Sequence, residues 1–523
     1  MSEAFGNHEL AVPFRPMVEL LYAYRQRDPG KLAIVDLDQG SSITFGELDR
    51  VVTNIAADLK RRGVGKGDRV VLLSDENLEK LLLWFGIWRI GAVVSPLNVE
   101  LNTEHVAALS AMVGPKLVLV HKDLDAKTLT LGVNAAVCRF GKYSSDNADP
   151  LDEFFSQLTT ADPASAPERN EPSDLSCMFC TSGTTSKPKL VVYDHAAYWL
   201  SGLSTLDMLG LTENDKTLEY RSFGWNSAQV LSLMPFLQTG LTMHIAKRFS
   251  HSRFFEWIKQ YGLTFSAGVP TVVNMLLNKP LGYTAKDIPT LRLMTCSTAP
   301  LSPEQWERFE STYGLTLLQL YGMSEAGWIC GNRHYRKRMG TVGPPAKHQE
   351  FVIVDSEGNK CPPNVEGEVT VGGQQTAIGY LQADGSIEPF RGKRNKTGDL
   401  AIMDQDGFVR VTGRTKDLII RGGMNISPLE IDEILLAHDD LLEAASVGVP
   451  DPIYGEEVVA FAVPKPEAKV TEEQVLIYCE DKLPLPKQPK KLFFVDQLPK
   501  NDRGKVLRDK LRDAWKERTA ANT

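Results

Sequence analysis

The chain lacks an apolar segment long enough to cross a bilayer. Its longest apolar run, Leu81 to Val94, contains Arg89 and falls short of the about 20 residues that a membrane helix needs. We expect this run to be a buried helix that leads into a strand. The N-terminus, Met1-Ser2-Glu3-Ala4, also lacks the basic start and apolar stretch of a signal peptide. The sequence therefore predicts a cytoplasmic protein without a membrane span.

Cysteine is sparse and scattered. Seven cysteines are distributed over 523 residues, and Cys177 and Cys180 form the single close pair. No second cysteine pair or histidine pair stands beside them to complete a zinc site. This pattern is typical of reduced thiols in the cytoplasm and not of a disulfide framework. We interpret Cys177 and Cys180 as core residues, in preference to a redox or metal role.

Positive charge is also limited. The formal net charge is −8, which argues against a general nucleic-acid-binding protein. The apolar fraction of 42% and the charged fraction of 24% are typical of globular proteins. A chain of 523 residues is too long for a single hydrophobic core, so two or more domains are expected.

Strand and helix patterns alternate through the first part of the chain. Thr44-Phe45-Gly46-Glu47 has the pattern of a capping box at a helix start. A helix is predicted from about Asn77 to Ile90, between strands at Arg69 to Leu73, Ala92 to Ser95 and Lys116 to Val120. Alternation of this kind indicates a parallel sheet whose faces are covered by helices.

The pattern changes in the last third of the chain. Short apolar runs separated by Gly, Asn and Asp, between Phe351 and Val411, predict a mainly β subdomain. Beyond a polar junction, Ser427-Pro428-Leu429-Glu430 has the pattern of a helix start. Strands and a further helix then complete a small α/β domain. We place the domain boundary at the junction, so that the predicted domains are residues 1–415 and 416–523.

A nine-residue segment rich in hydroxyl groups follows the apolar run Leu175 to Phe179. Its sequence is Thr181-Ser182-Gly183-Thr184-Thr185-Ser186-Lys187-Pro188-Lys189. Hydroxyls and backbone N–H groups at a tight turn can bind phosphate oxygens, and lysine offsets their charge. The spacing is not that of a Walker loop. On these residues alone, a phosphate site and an ordinary Ser/Thr-rich surface loop are about equally supported.

Further motifs follow this loop in order. They are Tyr321-Gly322-Met323-Ser324-Glu325, Thr397-Gly398-Asp399, Gly413-Arg414-Thr415-Lys416-Asp417 with Pro428-Leu429-Glu430, and Pro499-Lys500-Asn501-Asp502-Arg503-Gly504-Lys505. Together with the loop, they make the chain resemble the adenylate-forming superfamily of acyl- and aryl-CoA synthetases, from about Ile43 to Arg508. Five chance matches in the same order are hard to credit, so the resemblance is far more specific than the loop alone.

The resemblance implies an α/β fold with two parts. One is a large N-terminal domain with two α/β sheet layers and a β subdomain, and the other is a small mobile α/β C-terminal domain. Lys416 would be the hinge between them. Gly422 and Gly423 would then help to form the tunnel for a thiol, since glycine lets the backbone approach a ligand closely.

The implied activity is an ATP-dependent carboxylic acid–CoA ligase. Such an enzyme joins the acid to the α-phosphate of ATP, releases pyrophosphate, and then transfers the acyl group to coenzyme A with release of AMP. ATP, Mg²⁺ and coenzyme A are implied, with a small carboxylic acid as the partner and no nucleic acid. An acid-adenylating enzyme that loads a carrier protein and a relative that does not adenylate stay as alternatives. The oligomeric state is left open, with a homodimer as one option.

The motifs also imply roles for individual residues. The loop residues that would hold the β- and γ-phosphates are Thr181, Ser182, Gly183, Thr184, Thr185 and Lys189. Glu325 and Thr184 would bind Mg²⁺, and with Lys505 they are the implied catalytic residues.

The remaining nucleotide contacts fall in two motifs. Tyr321, in a motif with Gly322 and Ser324, would stack on adenine, and Asp399 and Arg414 would hold the ribose. The alternatives are a packed core tyrosine at position 321 and a purely structural ion pair between Arg414 and Asp399.

The implied acid pocket departs from the family pattern. Its residues would be Phe223, Trp225, Gly268 and Thr298. Gly224 stands where many acyl-CoA synthetases have histidine and where amino-acid-activating domains have aspartate, which argues against an α-amino acid substrate. Trp225 favours a small or flat acid, with core packing as the equal alternative. Arg221, Asn226 and Gln229 are a weak indication of a polar or second acidic group on the substrate, and the alternative for Arg221 is a structural ion pair.

The phosphate loop departs from the pattern at Ser186, where glycine is usual. If this position needs a positive φ, serine costs about 1 kcal/mol there, which need not abolish ATP binding.

Overall fold

The computed structural model describes residues 13–99, 103–124, 134–144, 151–160, 168–181, 189–501 and 505–520. The helices are α1 (Met17–Arg27), α2 (Phe45–Arg61), α3 (Leu78–Arg89), α4 (Thr103–Val113), α5 (His195–Leu209), α6 (Asn226–Ala228), α7 (Met234–Thr239), α8 (Phe254–Tyr261), α9 (Pro270–Asn278), α10 (Pro303–Tyr313), α11 (Pro428–Leu436), α12 (Glu472–Glu480) and α13 (Arg508–Ala520). A π-helical turn, Gln229–Leu233, joins α6 to α7.

The strands are β1 (Leu32–Asp36), β2 (Ser41–Thr44), β3 (Arg69–Leu73), β4 (Val93–Leu97), β5 (Leu117–His121), β6 (Ala136–Phe140), β7 (Leu175–Cys180), β8 (Leu190–Asp194), β9 (Lys216–Glu219), β10 (Thr242–Ile245), β11 (Phe265–Ser266), β12 (Leu293–Cys296), β13 (Thr316–Met323), β14 (Gly327–Gly331), β15 (Glu350–Val354), β16 (Gly367–Gly372), β17 (Gly379–Leu381), β18 (Ile387–Pro389), β19 (Asn395–Met403), β20 (Val409–Arg414), β21 (Ile419–Arg421), β22 (Met424–Ile426), β23 (Leu441–Asp451), β24 (Gly455–Pro464) and β25 (Lys491–Phe494).

Two eight-stranded sheets form most of the N-terminal part. Their strand orders are β14-β13-β12-β11-β9-β10-β1-β2 and β18-β17-β8-β7-β4-β3-β5-β6. The central strands are parallel, and antiparallel strands such as β2, β14 and β8 lie toward the edges. An antiparallel sheet, β15-β16-β19-β20, follows. The predicted two α/β layers and β subdomain are confirmed.

A smaller sheet occupies the C-terminal part. Its order is β22-β21-β24-β23, with β25 paired to β24, and helices α11, α12 and α13 accompany it. The chain leaves the preceding sheet at Arg414 and enters this one at Ile419. The predicted small α/β domain is therefore present, and we keep residues 415 and 416 as its proposed boundary.

Helix α3 is buried along its whole length. Every residue from Leu78 to Arg89 is buried, and the helix is preceded by Asn77, whose side chain accepts the Lys80 N–H at 2.8 Å. The prediction of a buried helix followed by a strand is confirmed. None of the described helices has the length and the apolar character that a membrane span requires.

Both cationic residues of α3 are paired inside the protein, and its buried carboxylate, Glu79, accepts hydrogen bonds from Gln39 and from the Tyr143 N–H. Lys80 Nζ lies 2.6 Å from Glu76 Oε1, and Arg89 Nη1 lies 2.8 Å from Asp49 Oδ1. A buried charge without a partner is strongly unfavourable. These pairs therefore allow a helix with charged residues to lie between two sheets.

Helices α2 and α3 pack closely because α3 carries a glycine where they meet. A Cβ atom at Gly86 would lie 2.2 Å from Ile55 Cγ2, and Ile55 is fully buried. A side chain at residue 86 would therefore force Ile55 or the two helices to shift.

We expect Gly86→Ala to lower the free energy of unfolding by about 1–3 kcal/mol through overpacking. Thermal unfolding followed by circular dichroism measures the change. The matched control is Gly65→Ala, because a Cβ at Gly65 would meet its nearest neighbour, Asp68 Oδ2, only at 3.9 Å. Equal melting temperatures for the two variants would contradict the close-packing argument.

Candidate active site

The site lies where parallel strands of the first sheet end. Strands β9, β11, β12 and β13 are parallel neighbours, so their carboxyl ends meet at one edge. Ligands of open α/β sheets bind at this edge. The carboxyl-terminal end of β13 and the segments that follow these strands contain most of the predicted pocket, adenine and metal residues: Phe223, Trp225, Gly268, Thr298, Tyr321, Gly322, Ser324 and Glu325.

Gly268 and Thr298 have unusual local geometry. A Cβ at Gly268 would lie 2.2 Å from the carbonyl oxygen of Thr295, so only glycine fits between these segments. Thr298 has a φ of 78°, a left-handed conformation that costs energy for a β-branched residue. Such strain is concentrated at ligand sites, which supports the pocket role predicted for Thr298.

The wall of the predicted acid pocket is held by buried polar contacts. Phe223 is 1% exposed, and its carbonyl oxygen accepts a hydrogen bond of 2.6 Å from Gln229 Nε2. Arg221 donates from Nε and Nη2 to the buried Glu219, at 2.9 and 2.7 Å. The structural ion pair, which was the alternative for Arg221, is therefore what the structure contains. Trp225 is half-buried, which accords with either of its interpretations.

Asp399 receives hydrogen bonds from two predicted site residues. Arg414 Nε donates to Oδ1 at 2.7 Å, and the Tyr321 hydroxyl donates to Oδ2 at 2.5 Å. Asp399 and Arg414 face each other across β19 and β20, and Gly398 turns the backbone with a φ of 76°. The alternative ion pair is thus present. It is compatible with a ribose site, because a carboxylate can accept about four hydrogen bonds.

Lys505 from the C-terminal part lies in the same group of charges. Burial and the neighbouring Arg414 lower the pKa of Lys505 to about 8, against the opposing effects of Asp399 and Asp417. Its backbone N–H donates to Asn501 Oδ1 at 2.9 Å. The structure therefore brings together Tyr321, Asp399, Arg414 and Lys505, which come from four separate motifs.

Lys416 lies at the junction between the two parts of the molecule. It occupies a short 3₁₀ turn, Thr415–Asp417, directly after β20. Its charge contributes to lowering the pKa of Lys505. If Lys416 is the hinge, its positive charge lies close enough to Lys505 to affect the pKa of that lysine.

Only the two ends of the hydroxyl-rich loop are described. The backbone N–H of Thr181 donates to the carbonyl oxygen of Lys189 at 2.9 Å, so the two ends lie side by side where the loop leaves β7 and enters β8. The residues predicted between them lie outside the described part of the chain: Ser182, Gly183, Thr184, Thr185 and Ser186.

Glu325 contacts a residue that the sequence analysis missed. The Tyr380 hydroxyl donates to Glu325 Oε1 at 2.9 Å, and Lys189 Nζ lies 4.7 Å from the centroid of the Tyr380 ring. Tyr380 is in β17, which pairs with β8 directly after the loop. Nothing in the local sequence around Tyr380 indicates this pairing.

Gly422 and Gly423 belong to a separate group in the C-terminal sheet. They form the turn between β21 and β22, with φ values of 58° and 84°, and the Gly422 N–H donates to the carbonyl oxygen of Tyr454 at 2.8 Å. Exposed apolar side chains surround this turn: Ile420, Met424, Ile453 and Tyr454.

Comparison with known proteins agrees with this geometry. The family model described as AMP-binding enzyme matches residues 22–381, and that described as AMP-binding enzyme C-terminal domain matches residues 430–505. An oxalate–CoA ligase from Arabidopsis thaliana is 30% identical over 473 residues, covering 88% of this chain and 90% of the relative.

Two further relatives are similar over nearly their full length. A sulfoacetate–CoA ligase from Cupriavidus necator is 29% identical over 504 residues, which cover 95% of this chain and 97% of the relative. The crystal structure of ATP-bound MatB from Rhodopseudomonas palustris superposes with a TM-score of 0.85 and 28% identity, covering 95% of this chain and 99% of that one. As its five motifs predict, the chain belongs to the AMP-binding enzymes of the adenylate-forming superfamily.

Proposed function

We propose that this protein is a carboxylic acid–CoA ligase that uses ATP. It forms an acyl-adenylate with release of pyrophosphate, and then an acyl-CoA thioester with release of AMP. The observation that carries the proposal is the hydrogen-bonded group of Tyr321, Asp399 and Arg414, whose charged members also act on Lys505. The relatives named above as CoA ligases support coenzyme A as the acceptor.

The described residues fit ATP. Asp399 accepts the ribose hydroxyls, Arg414 lies beside it, and Tyr321 presents its ring for stacking on adenine. Thr181 and Lys189 are hydrogen-bonded at the two ends of the loop, and we propose that the loop residues between them bind the phosphates. Burial and the Asp399 carboxylate raise the pKa of Tyr321, so its hydroxyl stays protonated as a donor.

The described residues also fit Mg²⁺. In the part of the chain that the structure describes, no group of three or more His, Cys, Asp or Glu side chains forms a metal cage. Mg²⁺ is usually held by one or two carboxylates together with substrate phosphates and water. Glu325 supplies such a carboxylate, and Thr184 is proposed as its companion. The ion would neutralise charge on the triphosphate.

Lys505 addresses the main barrier of the first step, which is repulsion between the acid and ATP. A carboxylate must approach a phosphate that is itself negatively charged. A cation positioned between them stabilises the charge that develops in the transition state. Lys505 is such a cation when protonated, and the C-terminal domain delivers it.

The second step requires a different face of the C-terminal domain. We propose that residues 416–523 turn about Lys416, so that Gly422 and Gly423 replace Lys505 at the site. Ile420, Met424, Ile453 and Tyr454 are between 43% and 81% exposed around these glycines. Exposed apolar patches commonly mark surfaces that become covered, which supports this rearrangement.

The expected substrate is a small carboxylic acid outside the α-amino acid class. The buried Glu219 neutralises Arg221, so Arg221 gives little support to a second acidic group. Oxalate and sulfoacetate, the acids in the names of two relatives, nevertheless belong in any substrate test.

We also propose a cytoplasmic location. All seven cysteines are buried free thiols, as expected for a reducing compartment. A homodimer stays an open option.

The direct test is release of AMP and pyrophosphate across a panel of aryl, short-chain, dicarboxylic and sulfonated acids, with and without coenzyme A. We expect AMP release that depends on coenzyme A with one class of acid. Pyrophosphate release that is indifferent to coenzyme A would indicate a carrier-protein acceptor. ATP binding without turnover of any acid would contradict the ligase proposal.

Lys505→Ala is expected to slow acyl-adenylate formation at least about 100-fold, the scale for loss of one transition-state contact. Thioester formation from supplied acyl-adenylate should stay largely intact. Single-turnover assays of each half-reaction measure the two rates. The matched control is Lys500→Ala in the same motif, since Lys500 pairs with Glu443 at the surface. Equal loss of both half-reactions would refute this division of roles.

The lowered pKa of Lys505 predicts a pH limit. Because the pKa is about 8, the ammonium form predominates below pH 8 and is lost as pH rises. Adenylation kcat/KM, which reports the free enzyme, should therefore fall through about pH 8. Lys505→Arg keeps its charge and should lack this fall, whatever its absolute rate. A descending limb that persists in Lys505→Arg would assign the limb to another group.

A further inference from the structure

Tyr380 connects two charged residues of the active site. Its hydroxyl donates to Glu325 Oε1 at 2.9 Å, and Lys189 Nζ stands over its ring at 4.7 Å from the centroid. The proposed metal carboxylate and the proposed phosphate-binding lysine thus contact the same side chain. None of the sequence motifs includes this residue.

The strand pairing explains why Lys189 meets Tyr380. Strands β17 and β8 are antiparallel, with Tyr380 directly opposite Val191. Lys189 precedes Val191 by two residues, and side chains alternate along an extended chain. Lys189 and Tyr380 are therefore diagonal neighbours on one face, a separation that long and aromatic side chains span.

The Tyr380 ring also packs against an aromatic neighbour, and the backbone of its partner Glu325 is anchored. Phe390 packs edge-on against it, with centroids 6.1 Å apart and an interplanar angle of 89°. The backbone of Glu325 is tied nearby, since the Ala377 N–H donates to its carbonyl oxygen at 2.8 Å. In the contact between them, the Tyr380 hydroxyl is the donor and the Glu325 carboxylate is the acceptor.

We propose that Tyr380 is a positioning residue that orients Glu325 for Mg²⁺ through its hydroxyl and places Lys189 for the ATP phosphates through its ring. The proposal rests on the roles given above to Glu325 and Lys189. The hydrogen bond from the Tyr380 hydroxyl to Oε1 holds the Glu325 carboxylate in one orientation. The Tyr380 ring positions the Lys189 ammonium group and, because the ring has no net charge, does not neutralise it.

The two contacts can be separated by substitution. Tyr380→Phe removes the hydroxyl and keeps the ring. We expect the apparent affinity for Mg²⁺ to fall about 10- to 100-fold, as for other residues that orient metal ligands, and ATP binding to recover at saturating Mg²⁺. Tyr380→Leu also removes the ring, and should weaken ATP binding by a further about 2- to 5-fold that Mg²⁺ does not restore.

The measurement is calorimetric titration of the full-length protein with ATP at a series of Mg²⁺ concentrations. It needs no acid substrate, so it is independent of turnover. Tyr313→Phe is the matched control, because Tyr313 also loses a buried hydroxyl contact, to the carbonyl oxygen of Leu276 at 2.7 Å. It should keep the Mg²⁺ dependence of the unmodified protein. Melting temperatures of all variants separate unfolding from weakened binding.

A double substitution tests whether Tyr380 acts through Glu325. Glu325→Gln should weaken the Mg²⁺ dependence by itself, and adding Tyr380→Phe should then change it little. Additive effects, or an unchanged Mg²⁺ dependence in Tyr380→Phe, would overturn the proposal. A protein that binds ATP with the predicted Tyr380 dependence but activates no acid would refute the ligase function and leave this inference standing.

Discussion

The carboxylate of the acid and the α-phosphate of ATP are both negatively charged, and they must come together in this active site. The protein therefore has to supply positive charges that its own carboxylates do not cancel. The cations differ in how they are held. Lys505 is partly desolvated, Lys189 rests on an aromatic ring, and Arg414 shares Asp399 with Tyr321. Arg221, in contrast, has a buried carboxylate of its own. We infer that a cation paired with its own buried carboxylate, such as Arg221, has a structural role in the pocket. A cation without such a dedicated carboxylate, such as Lys189 or Lys505, is available to bind a ligand.

The framework around these charges is set by burial. Helix α3 lies wholly inside, with Lys80 and Arg89 each paired to a carboxylate. An interior of this kind is densely packed and resists displacement. This packing holds the strands of the first sheet in place, and with them the site residues at the carboxyl ends of the strands. Thr298 can keep its strained backbone because such a framework surrounds it.

Local patterns in the sequence predicted the elements well, because capping and periodicity act over a few residues. The Thr44 capping box and the burial of α3 are examples. The grouping of Tyr321, Asp399, Arg414 and Lys505 was predicted by resemblance, since no local pattern reports contacts between distant segments. Tyr380 was missed for this reason: its contacts depend on the register of β17 against β8. Arg221 had two interpretations for a different reason: Glu219 is only two residues away in the sequence, but the burial that makes the pair exclusive comes from the fold.

The origin of Lys505 in the C-terminal part has a consequence for the direction of the reaction. A transition state is the same whether it is approached from acid and ATP or from acyl-adenylate and pyrophosphate. The lysine that promotes the forward attack therefore promotes the return attack equally. In the proposed cycle, turning about Lys416 withdraws that lysine from Asp399 and Arg414. Rotation of the domain would then slow the reverse reaction, which re-forms ATP, in the same movement that permits formation of the thioester.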